Sequence, residues 1–273
     1  MIVIIDFFGG LCNQFIDLNS SIAFCDKHNI NFTVRYCTFR NDNLITWHNV
    51  PFDTLFDNSF LDKYKDLYVE HDTLELTPDN TVNWIGEPAF VLFKNQNVLE
   101  YIQNINKKHI VIRQGGAVLP GYDAHLCSQL SPSKRLMDIY NNLKSKLINS
   151  NEVYNFIHYR YESDFTNAFK VKITGLKQLI IDTMPKFKNP NLRIYIATTN
   201  IKTLMDFNET IFDKKISDII VSKNDDDLQS LNFEEKAFID FMFGRNSNEV
   251  FGHSNSSFSG MLNSIKNSNN YYA

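Results

Sequence analysis

Directly after an expected buried strand at residues 153–157, the chain places four ionisable side chains at alternate positions: His158, Arg160, Glu162 and Asp164. In an extended chain, residues two apart face the same way, so the four project together if strand geometry holds to the end of the segment. Open α/β sheets bind ligands at the carboxyl ends of buried strands, and the pattern therefore points to a site for an anion with carboxylates beside it. Arg160 offers a planar pair of N–H donors that matches a phosphate. His158 can donate to the same anion or accept from a hydroxyl. Glu162 and Asp164 are either bases or supports that orient Arg160. A purely structural ion-pair network explains an isolated cluster of this kind equally well.

Two other segments carry donors for anions. Gly9-Gly10-Leu11-Cys12-Asn13-Gln14 lies between an apolar strand and a helix. The glycines let backbone approach a ligand, and the helix start adds unpaired N–H groups and a positive dipole end. Asn13 and Gln14 add side-chain donors. This suits a diphosphate or a sugar, and fits a plain tight turn as well. The Gly-Lys-Ser/Thr of a phosphate-binding loop is absent. The second strand ends at Val34-Arg35-Tyr36 without an acid to hold a ribose, which disfavours a dinucleotide oxidoreductase or a methyltransferase. The second segment, residues 251–260, is a hydroxyl-rich turn containing Ser256, Ser257 and Phe258 before another helix start. Capping needs only one such residue, so the serine run exceeds it and reads as a second anion cradle. Asp240 is positioned on a helix to accept from a guanine N1–H and amino group, or else is a solvated helix carboxylate. The run Asp225-Asp226-Asp227 reads as a solvated loop without a calcium-loop pattern. Arg113-Gln114-Gly115-Gly116 ends a strand where it could touch an acceptor.

These segments need a framework. The 273 residues are 43% hydrophobic and 21% charged with a formal net charge of −4, which suits a globular protein with a sizeable core and no global attraction to nucleic acid or acidic membranes. Cys12, Cys25, Cys37 and Cys127 lack metal-ligand spacing and read as reduced thiols. The apolar N-terminus stops at Asp6, too short for a signal or a membrane span. Strands are expected at residues 2–7, 31–37, 81–85, 109–113, 153–159, 193–197, 218–221 and 249–252. They alternate with helices that run from after Gln14 to about 27 and over about 133–148, 171–184, 201–207, 233–243 and 257–266, while 40–76 is irregular. Alternation of this kind means β-α-β units and parallel sheets. The polar stretch 149–152 divides the chain into residues 1–150 and 151–273, two Rossmann-like domains facing a cleft.

Taken in order, the segments resemble the fucosyltransferase superfamily that includes the GDP-fucose protein O-fucosyltransferases. Gly9-Gly10-Leu11-Cys12-Asn13-Gln14 is similar to its N-terminal glycine loop, and His158-x-Arg160-x-Glu162-x-Asp164 to its H-x-R-x-E-x-D motif. Residues 193–200 resemble its Y-x-A-T/S-D strand end, and Asp240 with Phe251-Gly252 and Ser256-Ser257-Phe258-Ser259 its closing segment. Cys12 stands for the usual small glycine, and Asn200 for the usual aspartate.

The resemblance implies a GT-B fold and an inverting, metal-independent transfer of fucose from GDP-fucose to a glycan or protein hydroxyl, with no cofactor. Arg160 would grip the β-phosphate. Ser256, Ser257 and Phe258 would line the diphosphate and sugar, and Asp240 would read guanine. His158 would sit against the nucleotide or its ribose, Gly9 and Gly10 would help to bind the nucleotide sugar, and Asn13 would lie at the reaction centre. The base stays open among Asp6, Asp17, His158, Glu162 and none. Without a leader or anchor ahead of the first strand, a cytoplasmic address is expected, as in a bacterial or viral glycan pathway. Alternatives are the same fold with UDP-xylose or GDP-mannose as donor, or a catalytically silent nucleotide-sugar-binding module.

Overall fold

The structure, a computed structural model, describes residues 1–41, 46–84, 98–113, 119 and 124–272, without the side chains of Trp84, Ala124, His125, Ser163, Asp164, Asp225 and Asp227. The expected loop Gln114-Gly115-Gly116 and the last residue of the strand expected at 81–85 lie outside the described residues. The chain divides into two compact units, Met1–Leu136 and Met137–Ala273.

The first unit holds β1 (Ile2–Asp6), β2 (Asn31–Arg40), β3 (Trp47–Pro51), β4 (Thr81–Trp84) and β5 (His109–Arg113) in the order β3-β2-β1-β5-β4. All neighbours are parallel except β3, which runs antiparallel to β2. Central β1 buries Val3, Ile4 and Ile5 completely, as a strand covered on both faces requires. The helix Leu11–His28 buries Phe15, Leu18, Ile22 and Cys25, the face marked by their spacing. β2 runs three residues past its expected end because Thr38, Phe39 and Arg40 pair with Asn49, His48 and Trp47 of β3.

The second unit holds β6 (Asn155–His158), β7 (Ile194–Ala197), a small hairpin of β8 (Thr210–Ile211) and β9 (Lys214–Lys215), then β10 (Ile220–Val221), β11 (Val250–His253) and β12 (Tyr271–Tyr272). Its main sheet is wholly parallel, in the order β10-β7-β6-β11-β12. Strand order therefore runs outward one way from β6 through β7 to β10, and the other way from β11 to β12. The reversal falls between β6 and β11.

Side-chain alternation assigns the two faces of this sheet. Ile157, Ile194, Ile196 and Phe251 pack with Leu176, Leu179 and Ile180 of the helix Leu176–Thr183. On the other face Phe156, Tyr195 and Phe243 stack in series, at 5.8 Å and 4.1 Å between centroids. Phe243 belongs to the helix Phe233–Asn246, which starts at a capping box formed by Asn232 and Glu235.

The strand geometry expected through Asp164 stops at His158. The neighbouring strand β7 ends at Ala197, whose carbonyl takes the Tyr159 N–H at 2.9 Å as the last ladder bond. Residues 159–162 leave the sheet, and Glu162 caps a helix at Ser163–Phe169 that the periodicity did not reveal. His158, Arg160, Glu162 and Asp164 therefore do not form one strand face. The helix expected at 171–184 begins only at Leu176, after Gly175. Residues 216–219 are helical rather than the start of a strand.

Candidate functional site

The connection leaving β6 packs on one face of the second sheet, and the helix that follows β11, Ser257–Ile265, packs on the other. A crevice at the carboxyl ends of β6 and β11 follows from that reversal, and open α/β sheets bind ligands in such crevices. Two of the three segments singled out from the sequence meet there.

Arg160 stands just past β6. Its Nε donates to Glu162 Oε2 at 2.7 Å, and its guanidinium lies 4.8 Å over the Phe165 ring. Both partners of the ion pair are mostly buried, with side chains 17% and 16% exposed. Glu162 also accepts from the Tyr161 N–H at 3.2 Å, so its carboxylate is engaged in holding Arg160 and the turn. Tyr272 braces the strand end from β12: its hydroxyl donates to the His158 carbonyl at 2.6 Å and accepts from the Arg160 N–H at 3.4 Å.

His158 is buried. Its Nδ1 lies 2.9 Å from Ser259 Oγ, and its ring packs 4.3 Å from that of Phe258. Burial, with smaller contributions from the charges of Arg160, Lys223 and His253, holds its pKa well below the ordinary value and keeps the ring neutral. Gly252, paired with His158 in the ladder, makes this packing possible: a Cβ at Gly252 would fall 2.5 Å from Ser259 Cβ and closer still to its hydroxyl. Ser256 caps the helix by accepting from the Ser259 N–H and is buried, while Ser257 is exposed at the first position and Phe258 is buried behind it.

Asp240 is not a solvated carboxylate. It is buried, its Oδ1 accepts from the Tyr195 hydroxyl at 2.9 Å, and its Oδ2 pairs with Lys223. Lys223 is itself buried and donates to the Thr198 carbonyl at 3.0 Å. This cluster sits at the carboxyl ends of β7 and β10. Phe241 and Phe258, 5.7 Å apart, link its helix to the serine turn.

In the first unit, the glycine turn follows β1 at the point where strand order reverses between β1 and β5. Gly9 has φ +94°, and Gly10 caps the helix without a side chain. Asn13 is exposed in the first turn. Gln14 does not face a ligand: it is fully buried, with Nε2 donating to the carbonyls of Gly9 and Thr38 at 2.9 and 2.8 Å and Oε1 accepting from the Thr38 N–H at 3.1 Å. It straps the turn to β2. Of the open candidates for a base, Asp6 is held by Arg35, whose Nε donates at 2.9 Å, and Asp17 accepts from the Phe8 N–H at 3.3 Å.

Lys223 and Tyr272 lie outside the segments singled out from the sequence, Tyr195 and His253 lie within them without an assigned role, and the contact of Ser259 with His158 has no signature in the spacing. Among the described residues no group of three or more His, Cys, Asp or Glu side chains is arranged to hold a metal ion, and no helix is long and apolar enough to cross a membrane.

Two consequences are measurable. Lys223→Met leaves the Asp240 carboxylate buried beside an uncharged side chain, and such uncompensated charges cost about 3–5 kcal/mol; the denaturant midpoint should fall accordingly, and an unchanged midpoint contradicts a buried ion pair. Below about pH 6.5 an unfolded histidine takes up a proton that folded His158 refuses, so stability is full above that pH and falls as pH drops toward the lowered folded-state pKa. Denaturation midpoints at pH 7.5 and 5.5 should differ in that direction, with a smaller difference in His158→Gln.

No family model matches the chain, and no curated protein matches it. Solved structures do resemble it. POFUT1 in complex with GDP-fucose superposes with a TM-score of 0.65 at 11% identity, over 100% of this chain and 97% of that one. NodZ alpha-1,6-fucosyltransferase soaked with GDP-fucose gives 0.58 at 11% identity over 97% and 92%. Fucosyltransferase NodZ from Bradyrhizobium gives 0.54 at 11% identity over 96% and 91%. The chain has the α/β fold of these GT-B fucosyltransferase structures.

Proposed function

We propose that this protein is an inverting, metal-independent glycosyltransferase that transfers fucose from GDP-fucose to a hydroxyl of a glycan or glycoprotein in the cytoplasm. The observation that carries the reading is the Arg160 guanidinium, fixed by Glu162 and Phe165 at the crevice where the strand order of the second sheet reverses. The shared fold supports it.

In this reading residues 151–273 hold the donor and residues 1–150 the acceptor. The bond between the sugar C1 and the β-phosphate oxygen breaks, and its electron pair leaves with the diphosphate. Arg160 and the N–H groups of Ser257 and Phe258 stabilise that charge, an electrostatic contribution made before the bond breaks rather than in response to it. The acceptor oxygen attacks C1 from the opposite face, its proton passing to water, and the centre inverts. Gly9, Gly10 and Asn13 meet the reacting sugar. His158, neutral and packed on Phe258, shapes the nucleotide side, and Ser256 fixes the helix start. Glu162 acts through Arg160 rather than as a base.

Asp240 is the residue assigned to guanine. A second reading is favoured by the engagement of both its oxygens with Tyr195 and Lys223: the fold is kept, but the donor carries another base, as in UDP-xylose.

Arg160→Ala should lower transfer on the order of 10²–10³-fold while the protein stays folded, and near-normal turnover would overturn the assignment. A thermal-shift panel of GDP-fucose, GDP-mannose, UDP-xylose, GDP and UDP separates the readings, since a ligand bound only by the folded state raises apparent stability. GDP-fucose and GDP are expected to shift the transition. A shift by the uridine compounds alone selects the second reading, and binding without transfer or hydrolysis indicates a silent module.

A further inference from the structure

His253, the last residue of β11, is 1% exposed. Its Nδ1 accepts from the Asn255 N–H at 3.1 Å. A nitrogen that accepts a hydrogen bond carries no proton, so the neutral ring holds its proton on Nε2. Nε2 is buried and, among the described residues, has no hydrogen-bond partner. A buried donor without an acceptor is costly, and native structures keep few of them.

The surroundings decide what acceptor fits. Phe165 meets the ring edge-on at 4.8 Å and Tyr272 at 5.4 Å. The same Phe165 ring lies under the Arg160 guanidinium. Three residues after His253, Ser256 caps the nine-residue helix Ser257–Ile265, whose first N–H groups open on the same turn. Cation, dipole end and neutral N–H thus gather around one turn, an arrangement that favours an anionic, acceptor-only group. Burial and the Arg160 charge both lower the His253 pKa, so the ring stays a neutral donor and does not act as an acid.

We propose that His253 Nε2–H is a binding donor for a phosphate oxygen of the nucleotide-sugar diphosphate, shared with Arg160. This rests on the nucleotide-sugar reading above and adds a residue to it. Nε2 is closed to solvent, so the oxygen reaches it only as neighbouring side chains move aside, with the Asn255 N–H still holding Nδ1.

His253→Phe keeps an aromatic ring against Phe165 and Tyr272 and removes the donor. Titration calorimetry with GDP, UDP and inorganic pyrophosphate is expected to show affinity falling roughly tenfold to a hundredfold for pyrophosphate and for whichever nucleotide the wild type binds. Guanosine or uridine binding should be unchanged. Equal affinity in wild type and variant overturns the proposal and leaves the proposed function standing. If the wild type binds none of the three probes, the proposed function falls and takes this inference with it. A measurement on the unaltered protein covers the case of a variant that does not fold: in ¹⁵N-histidine spectra, the His253 Nε2–H resonance should move downfield on adding pyrophosphate. An unmoved resonance overturns the proposal.

Discussion

The absence of a side chain at Gly252 is the constraint on which the second unit's site depends. Gly252 and His158 are neighbours in the β6–β11 ladder, and the gap left by the missing Cβ is filled by Ser259. That contact seats the helix Ser257–Ile265 against the sheet with its N-terminus at the crevice and with Phe258 against His158. Any larger residue at 252 would lift the helix off the strand and carry the helix start away from Arg160's end of the sheet. Parallel pairing between β6 and β11 supplies the register, and glycine supplies the closeness.

Around that seat, charge is placed with little freedom. Arg160 is fixed on one side by Glu162 and below by Phe165, and Lys223 and Asp240 neutralise each other within the protein. His158 and His253 are kept uncharged by burial. The fixed positive groups at this edge thus face neutral rings, and the described carboxylates beside them, Glu162 and Asp240, are already paired. An arrangement of this kind is suited to receive negative charge rather than to shuttle protons, in keeping with a reaction whose barrier lies in the departure of a diphosphate.

Much of this was legible in the sequence. The apolar runs of β1, β5 and β7 and the buried face of the helix Leu11–His28 follow from periodicity, since parallel strands covered on both sides read as continuous hydrophobic runs. The pairing of Arg160 with Glu162 follows from their closeness in the chain. Partners distant in sequence did not show: Tyr272 reaches the His158 carbonyl across 114 residues, and Lys223 meets Asp240 across 17. Gln14 misled because a long amide beside a glycine turn can turn toward a ligand or back to its own backbone, and only the position of β2 decides. The alternation from His158 to Asp164 continued in the letters after β7, the partner that would have kept it a strand, had ended.

We infer that the crevice between β6 and β11 receives a nucleoside diphosphate. Residue-resolved amide hydrogen exchange with and without GDP tests it most directly. Exchange should slow at Ser257 and Phe258 and around Arg160 when GDP is present. Protection confined to other parts of the chain, or none with either GDP or UDP, would contradict it.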